Sequence, residues 1–292
     1  MENEAFQISK KVRRIEIKTR RLTDEVLAGQ YHSAFKGRGM TFSEVREYGY
    51  GDDLRSIDWN VTARFNHPYV KIFEEERELT VILLIDVSGS NNIGSTAISK
   101  TERIAELAGT LAFSALRNND KVGVIFFSDR IEKFIPPKKG QQHILRIIRE
   151  LITFKPEGRG TNITLALEYF NNVIHRRGIV FLISDFIDNS YERAFAITAR
   201  KHDLVALRVN DAIENSFKGS GLFFVRDAET GSTRVIDPNG AAARAYQTWW
   251  THQQQYLMQT AGKFNIDVVD FHTNEDFVKP LAKLFKKRGK RI

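Results

Sequence analysis

The sequence has no cysteine, few prolines and no long apolar run: of its 292 residues none is cysteine and only 6 are proline. The absence of cysteine excludes disulfides, thiolate zinc sites, iron–sulfur clusters and a cysteine nucleophile. The longest apolar runs, 81–85 and 179–183, are far shorter than the ~20 residues that span a bilayer. The charged N-terminus also lacks the apolar segment of a secretory signal. We therefore expect a soluble, cytoplasmic protein.

Acidic residues are absent from the C-terminal tail, residues 279–292, which holds seven lysines and arginines. The formal net charge is +8, yet residues 1–278 contain 37 basic and 36 acidic side chains, so the excess positive charge lies in this tail. Such a tail is either the solvated end of a basic C-terminal helix, predicted over about 275–292, or a docking segment for an acidic surface.

Hydrophobic residues make up 42% of the chain, and in its central part their spacing alternates between the strand and the helix period. Continuous β-branched and leucine runs indicate buried strands, and apolar stripes between them indicate helices. This rhythm predicts an α/β domain with a mostly parallel central sheet and helices on both faces. The predicted strands are 80–85, 121–127, 130–135, 178–184, 203–209 and 266–271, and the predicted helices are 99–117, 141–154, 163–174, 191–201, 241–261 and 275–287.

Two regions depart from this rhythm. Residues 1–78 mix short apolar runs with a glycine-rich, charge-dense stretch, which we interpret as a β-rich N-terminal extension of the α/β domain at 79–292. Within that domain, residues 215–237 have the pattern of an inserted hairpin that turns at 229–231.

Candidate metal ligands follow the predicted strands. Asp86, Ser88 and Ser90 alternate in the loop directly after the first strand of the α/β domain. Thr161 lies in a glycine-rich loop before a helix, and Asp185 follows a central strand. Loops at the carboxyl ends of parallel strands meet at one edge of a sheet. Because carboxylates and hydroxyls are hard oxygen ligands, the set suits Mg²⁺ or Mn²⁺ and suits zinc poorly.

This set resembles the metal-ion-dependent adhesion site of von Willebrand factor A domains. In those domains Asp-x-Ser-x-Ser follows the first strand, a threonine lies in a later loop, and an aspartate follows a central strand. All five positions match, so the resemblance implies a Rossmann-like von Willebrand factor A domain. It also implies that Ser88, Ser90 and Thr161 contact the metal directly, while Asp86 and Asp185 act largely through bound water or as hydrogen-bond acceptors. In that family a carboxylate from a partner protein completes the octahedron.

The segment 37–65, GRGMTFSEVREYGYGDDLRSIDWNVTARF, is similar to domain of unknown function 58, a family of bacterial proteins that join this stretch to a von Willebrand A-like domain. Members typically occur beside MoxR-type AAA+ ATPases, so the resemblance implies such an ATPase as the partner. Many members also carry a pair of membrane helices, for which this sequence shows no equivalent. The charged residues around Trp59 predict a buried ion network that braces this region, or else a recognition face.

Two enzyme interpretations compete with this one. A phosphohydrolase would use Asp86 as its nucleophile, but such sites usually have a second acid two residues later, where this chain has Ser88. Residues 94–101, GSTAISKT, approach a phosphate-binding loop. However, Ser99 stands where that loop needs glycine, and Ser99 with Glu102 makes a helix capping box instead.

Nucleic-acid binding is a third alternative, and it would rest on the basic tail and on the basic cluster at residues 10–14. No helix-turn-helix, finger or aromatic-rich strand motif accompanies them. We therefore expect a non-enzymatic, Mg²⁺-dependent protein-interaction module, with a partner that supplies an Asp or Glu to the metal.

Overall fold

The computed structural model describes residues 2–35, 41–74, 78–89, 99–211, 223–226 and 233–290. The chain divides into two compact units. The larger unit, which we call the sheet unit, combines Met1–Ala34 with Thr80–Ile292, and the smaller unit is Phe35–Leu79. None of the helices in these ranges combines the length and the apolar character that crossing a bilayer requires.

The strands and helices are numbered in chain order. The strands are β1 (Thr41–Glu47), β2 (Tyr69–Glu74), β3 (Thr80–Asp86), β4 (Lys121–Phe127), β5 (Ile131–Lys138), β6 (Ile179–Ser184), β7 (Asp203–Asn210), β8 (Phe223–Arg226), β9 (Thr233–Ile236) and β10 (Asp267–His272). The α-helices are α1 (Glu2–Leu22), α2 (Ala28–Ala34), α3 (Trp59–Phe65), α4 (Lys100–Arg117), α5 (Gln141–Thr153), α6 (Ile163–Val173), α7 (Glu192–Lys201), α8 (Ala241–Lys263) and α9 (Val278–Gly289). A short π-helix, Thr23–Leu27, joins α1 to α2, and a short 3₁₀ helix spans Leu54–Ser56.

The sheet unit is built on six strands in the order β10-β7-β6-β3-β4-β5. All neighbours are parallel except β4 and β5, which form an antiparallel pair at one edge. From β3 the chain adds β4 on one side and later β6 on the other, so the winding direction changes between β3 and β6. This is the strand order of doubly wound α/β folds, in which ligands bind outside the carboxyl ends of the strands at that switch. The mostly parallel α/β sheet predicted from the sequence is confirmed.

Helices cover both faces of this sheet. On one face α6, α7 and α8 pack over alternate strand residues in a single apolar core, which includes Ile82, Leu84 and Leu182. On the other face α4 contacts β3, β4 and β7, and α1 and α5 contact α4. β3 and β6 are buried on both sides, as their continuous apolar sequences predict.

The first 34 residues correct the predicted β-rich extension over 1–78, because they are helical and belong to the sheet unit. α1 buries Val12, Ile15 and Thr19 along one side. α1 lies close against α4 at Gly109. A larger residue in place of this glycine would bring its Cβ within 3.3 Å of the Thr19 side chain. The stripe follows the helix period but carries few apolar residues among many charged ones, which is why the search for apolar stripes missed this helix.

The smaller unit contains the β-structure that the sequence predicts for the extension. β1 and β2 pair antiparallel, and Asp58 caps α3 by accepting hydrogen bonds from the amides of Asn60 and Val61. The predicted ion network is present in part, but it is not buried. Arg46 does donate two hydrogen bonds to Asp52, at 2.7 and 2.8 Å, but the Arg46 side chain is half exposed and that of Trp59 is 69% exposed.

The hairpin predicted over 215–237 is present as an antiparallel pair, β8 with β9, in which Phe223 lies opposite Ile236. Its predicted turn at 229–231 lies outside the described residues.

Candidate metal site

Asp86 is the last residue of β3 and lies at the carboxyl edge of the sheet beside the switch between β3 and β6. Its side chain is buried, with 1% of the residue exposed. Asp86 Oδ1 accepts a hydrogen bond from the Ser88 amide at 2.9 Å. The next loop residue, Gly89, donates from its amide to the Arg159 carbonyl at 3.0 Å. The loop after β3 is therefore tied to the loop that precedes α6.

Thr161 reaches Asp86 from the loop between α5 and α6. Its Oγ1 donates to Asp86 Oδ2 over 3.3 Å. The next residue, Asn162, caps α6 by accepting a hydrogen bond from the Leu165 amide at 2.9 Å, and its own amide donates to the Ser128 carbonyl at 2.9 Å. These bonds fix the backbone on the C-terminal side of Thr161, so its hydroxyl is held at the site.

A partly buried carboxylate supports the other side of the same loop. Glu132 Oε1 accepts from the Ser128 hydroxyl at 2.6 Å and from the Gly158 amide at 2.8 Å. A Cβ at Gly158 would stand 2.2 Å from Ser128 Oγ, so only glycine permits this approach. The loop before Thr161 therefore needs glycine at position 158 for close packing against Ser128, as well as for bending the chain.

Ser184 ends β6 and hydrogen-bonds directly to Asp86, a contact that the sequence analysis missed. Its hydroxyl donates to Asp86 Oδ2 at 2.6 Å and accepts from the Phe186 amide at 3.0 Å. Phe186 has a left-handed backbone, with φ 61°, which is uncommon for a residue other than glycine and is often found at functional sites. The sequence signal was a hydroxyl at the end of a fully buried apolar strand.

Asp185 lies between these two residues and forms a buried ion pair with Lys100. Lys100 Nζ is 3.0 Å from Asp185 Oδ2, and the two side chains are 0% and 1% exposed. The predicted cap of α4 is confirmed, because Ser99 Oγ accepts from the Glu102 amide at 3.2 Å. Lys100 was missed, although it stands four residues before Ile104 and therefore lies on the buried stripe of α4.

Burial and a neighbouring acid both make it unfavourable for Asp86 to carry a negative charge. Burial is the main cause that raises the pKa of Asp86 to about 6, and the charge of Asp185 raises it further. Hydrogen bonds from Ser184 and Ser88 act in the opposite direction because they stabilise the ionised form. When it is ionised, the metal-free cluster therefore holds two carboxylates and one ammonium with little solvent around them.

The structure brings four of the five predicted metal ligands together. Asp86 bonds with Ser88 and Thr161 and interacts electrostatically with Asp185. The fifth, Ser90, lies outside the described residues. Lys100 and Ser184 join the cluster in addition to the predicted set.

The donor chemistry of the cluster fits a hard divalent cation. Within the described ranges no three His, Cys, Asp or Glu side chains stand close enough together to hold a metal, so a cation here needs hydroxyl ligands. The hydroxyls of Ser88 and Thr161 hydrogen-bond to Asp86, and the charge of Asp185 acts on the same carboxylate. Oxygen donors of this kind match the preference of Mg²⁺ and Mn²⁺, and positive charge would offset the repulsion between the two carboxylates.

Fold and site together define a doubly wound α/β protein with a buried acid–hydroxyl cluster at its switch point. Residues 44–256 match the model of the family described as protein of unknown function DUF58. The chain belongs to this family, and the match covers β3 to β7 together with most of the smaller unit.

Two relatives and one solved structure are similar to this chain. An uncharacterized protein of Mycobacterium tuberculosis is 29% identical over 232 residues, which are 78% of this chain and 73% of that protein. The uncharacterized protein YeaD of Bacillus subtilis is 25% identical over 42% of this chain and 27% of its own length. The crystal structure of the conserved hypothetical protein BatB from Bacteroides thetaiotaomicron covers 73% of this chain and 99% of its own, at 18% identity and a TM-score of 0.51. At that identity the likeness supports the fold alone.

Proposed function

We propose that the chain is a non-enzymatic, divalent-cation-dependent protein-interaction module whose cation is Mg²⁺ or Mn²⁺. The observation that carries the proposal is the position of Asp86. It is buried at the switch point of the sheet, and hydroxyls and a second acid from three separate loops converge on it. Buried acidic groups with raised pKa values in such a position are typical of binding sites.

The residues that would hold the cation are those of the sequence prediction. Ser88, Ser90 and Thr161 would contact it directly, and Asp86 and Asp185 would support it through water or as hydrogen-bond acceptors. A cation held mainly by neutral oxygens stays electrophilic and attracts an incoming carboxylate. The partner would therefore present an exposed Asp or Glu to this edge of the sheet.

The contacts of Asp86 favour binding over phosphoryl transfer. A nucleophilic aspartate needs an oxygen open to the substrate, whereas both oxygens of Asp86 accept hydrogen bonds and the side chain is buried. The position two residues later, where a general acid is expected, holds Ser88, whose amide bonds to Asp86. The phosphohydrolase alternative is therefore less well supported by the local geometry.

Nucleic-acid binding loses part of its basis because several of the bases invoked for it bind acids within the chain. In α1, Lys11 and Arg14 both pair with Glu102, at 2.8 and 3.1 Å. In α9, Arg288 pairs with Asp203 and Asp267. These charges serve helix packing, so they contribute less to a phosphate-binding surface.

The partner that we propose is a MoxR-type AAA+ ATPase in the bacterial cytoplasm, as the family resemblance implies. The test is the affinity of the purified ATPase for the purified chain in Mg²⁺ and in EDTA. We expect binding in Mg²⁺ that is lost in EDTA and in Thr161→Ala. The control is His252→Gln, an exposed position on α8, which should bind as the wild type does.

Undiminished affinity in EDTA would contradict the proposal. The smaller unit, with Trp59 and Leu54 exposed, would then be the surface to examine by mutation.

A further inference from the structure

The side of α1 opposite its buried stripe carries exposed apolar residues. Phe6 is 65% exposed and Ile17 is 60% exposed, which makes them the two most exposed large hydrophobic side chains described in the sheet unit. They are eleven residues apart, so they lie on the same side of the helix and about 16 Å from each other along its axis. A single exposed apolar side chain is ordinary, but two in line on one helix indicate a contact surface.

The same side of α1 is basic. Residues 6–22 contain seven lysines and arginines and one acid. Lys10 and Arg13 stand four and seven residues after Phe6, so they share its side of the helix, and both are exposed. Within the described residues no acid pairs with either of them, whereas their neighbours Lys11 and Arg14 share Glu102 of α4. Lys10 and Arg13 can therefore bind an external anion without first breaking an ion pair.

The acids near this side of α1 lie toward its C-terminal end, and each of them pairs with an arginine. The pairs are Glu16 with Arg20, Asp24 with Arg117, and Glu25 with Arg21. Among the described residues none of these acids lies within ion-pair distance of Lys10 or Arg13. The part of the helix between the two exposed apolar residues therefore keeps its positive charge.

We propose that this side of α1, defined by Phe6, Lys10, Arg13 and Ile17, is a docking surface for an anionic lipid membrane. The two bases would bind lipid phosphates, and the two apolar side chains would enter the boundary between headgroups and acyl chains. The inference goes beyond the proposed function, because it needs neither the cation nor the residues of the candidate metal site.

A lipid surface fits α1 better than a nucleic acid or a protein does. A nucleic acid is bound chiefly through its phosphates, and an aliphatic side chain such as that of Ile17 gains nothing from them. A protein partner must offer a groove of matching shape to an outward-facing helix. A bilayer adapts its shape to the helix, and it offers phosphates and an apolar layer at neighbouring depths.

Helix α7 provides a matched control. It packs on the opposite face of the sheet, through Ala194 and Phe195. Its outer side has a similar pattern, because the exposed bases Arg193 and Arg200 flank Ile197, which is 40% exposed. Equal changes of charge and of apolar surface can therefore be made on the two faces of the molecule.

The experiment measures binding of the full-length chain, in EDTA, to vesicles of phosphatidylcholine with and without phosphatidylglycerol. The α1 variants are Lys10→Glu/Arg13→Glu and Phe6→Ser/Ile17→Ser. The α7 variants are Arg193→Glu/Arg200→Glu and Ile197→Ser. All these positions are exposed, so the substitutions should leave the fold intact, which thermal unfolding of each variant checks. Binding to a double-stranded DNA of random sequence is measured in parallel.

We expect the wild type to bind the anionic vesicles, with an affinity that falls as the salt concentration rises, and to bind pure phosphatidylcholine about tenfold more weakly. Lys10→Glu/Arg13→Glu and Phe6→Ser/Ile17→Ser should each lower the affinity for anionic vesicles by about tenfold, while the α7 variants should lower it by less than about threefold.

Three vesicle results would overturn the proposal: no binding by the wild type, an equal loss of binding in the α7 variants, or undiminished binding by Phe6→Ser/Ile17→Ser. Tighter binding to DNA than to anionic vesicles would overturn it too, since it would assign the bases to a nucleic-acid surface. The proposed function is tested separately by Mg²⁺ titration, so either proposal can fail while the other holds.

Discussion

Asp86 is a carboxylate that the metal-free chain holds under unfavourable conditions. Its pKa is raised to about 6, chiefly by burial and secondly by the charge of Asp185. A carboxyl whose pKa is higher in the folded chain than in the unfolded chain binds its proton more tightly when folded. The free energy of unfolding therefore falls as the pH rises from the ordinary carboxyl pKa of 3.8 to about 6, and above that pH the ionised group keeps the metal-free fold less stable.

Replacing this charge gives a prediction with a defined pH dependence. In EDTA at pH 8, Asp86→Asn should raise the free energy of unfolding by about 1–3 kcal/mol, since it removes the buried charge and keeps the shape. At pH 3, below the ordinary carboxyl pKa of 3.8, the gain should disappear, because the carboxyl is then protonated in the folded and in the unfolded wild type alike. Denaturant unfolding at the two pH values measures both. A gain of equal size at both pH values would contradict the assigned pKa.

The sequence predicts part of this residue environment and misses another part for a physical reason. Asp86, Thr161 and Asp185 each follow or precede an element whose end must lie at the same sheet edge, so their proximity follows from the βαβ pattern. Lys100 is recognisable only once α4 lies against the sheet, and Ser184 only once β6 pairs with β3. Their roles depend on which charges and hydroxyls face each other across elements, and local spacing does not encode that.

Among the elements, α9 shows how the basic tail is used. Its last turn carries Arg288, which donates to both oxygens of Asp203 at 2.8 Å and to Asp267 at 2.8 Å. Burial raises the pKa of Asp267, but Lys287 and Arg288 outweigh it and hold that pKa below its usual range. Asp203 and Asp267 begin β7 and β10, so these pairs lie at the amino edge of the sheet, opposite the candidate metal site. The interpretation of the tail as a solvated helix end is therefore wrong for Lys287 and Arg288, because their ion pairs hold the helix against the sheet.

This anchoring predicts a clear difference between neighbouring bases. Arg288→Met should lower the free energy of unfolding by about 2–4 kcal/mol, because it leaves the buried Asp267 and its neighbour Asp203 without their main partner. Lys286→Met, at an exposed position two residues earlier, should change it by less than about 0.5 kcal/mol. Thermal and denaturant unfolding of the two variants provide the comparison. Equal, small effects would show that the tail is held by Leu281, Leu284 and Phe285 alone.

α1 is the element that sequence spacing failed to predict. Its buried side offers Val12, Ile15 and Thr19, while its outer bases pair with acids of α4, as Lys18 does with Glu106 at 2.7 Å. The apolar residues of α1 do recur with the helix period, but they are few among many charged residues, so a search for apolar segments passes over this helix. Helices α4 and α6 contain a larger share of apolar residues, and the predicted bounds of both lie within about one residue of those observed.

For the whole molecule, the strand order explains why the site is where it is. The change of winding direction between β3 and β6 opens the carboxyl edge there, since the connections leave that edge on opposite faces. Asp86 ends β3, and Ser184 and Asp185 end β6. The sequence predicts the parallel sheet, but it does not fix this order, because the order depends on which buried strands pair across long connections. The assignment of residues 1–34 to the sheet unit was hidden for the same reason.

The central claim is that this edge of the sheet binds a divalent cation, and calorimetric titration of the purified chain with Mg²⁺ tests it most directly. We predict saturable binding to the wild type and to the control Glu168→Gln, an exposed acid on α6, and no binding to Asp86→Ala. The same Mg²⁺ should stabilise the wild type by about 2.7 kcal/mol at one hundred times its Kd. Equal Mg²⁺ binding by the wild type and Asp86→Ala, or none by the wild type, would contradict the account.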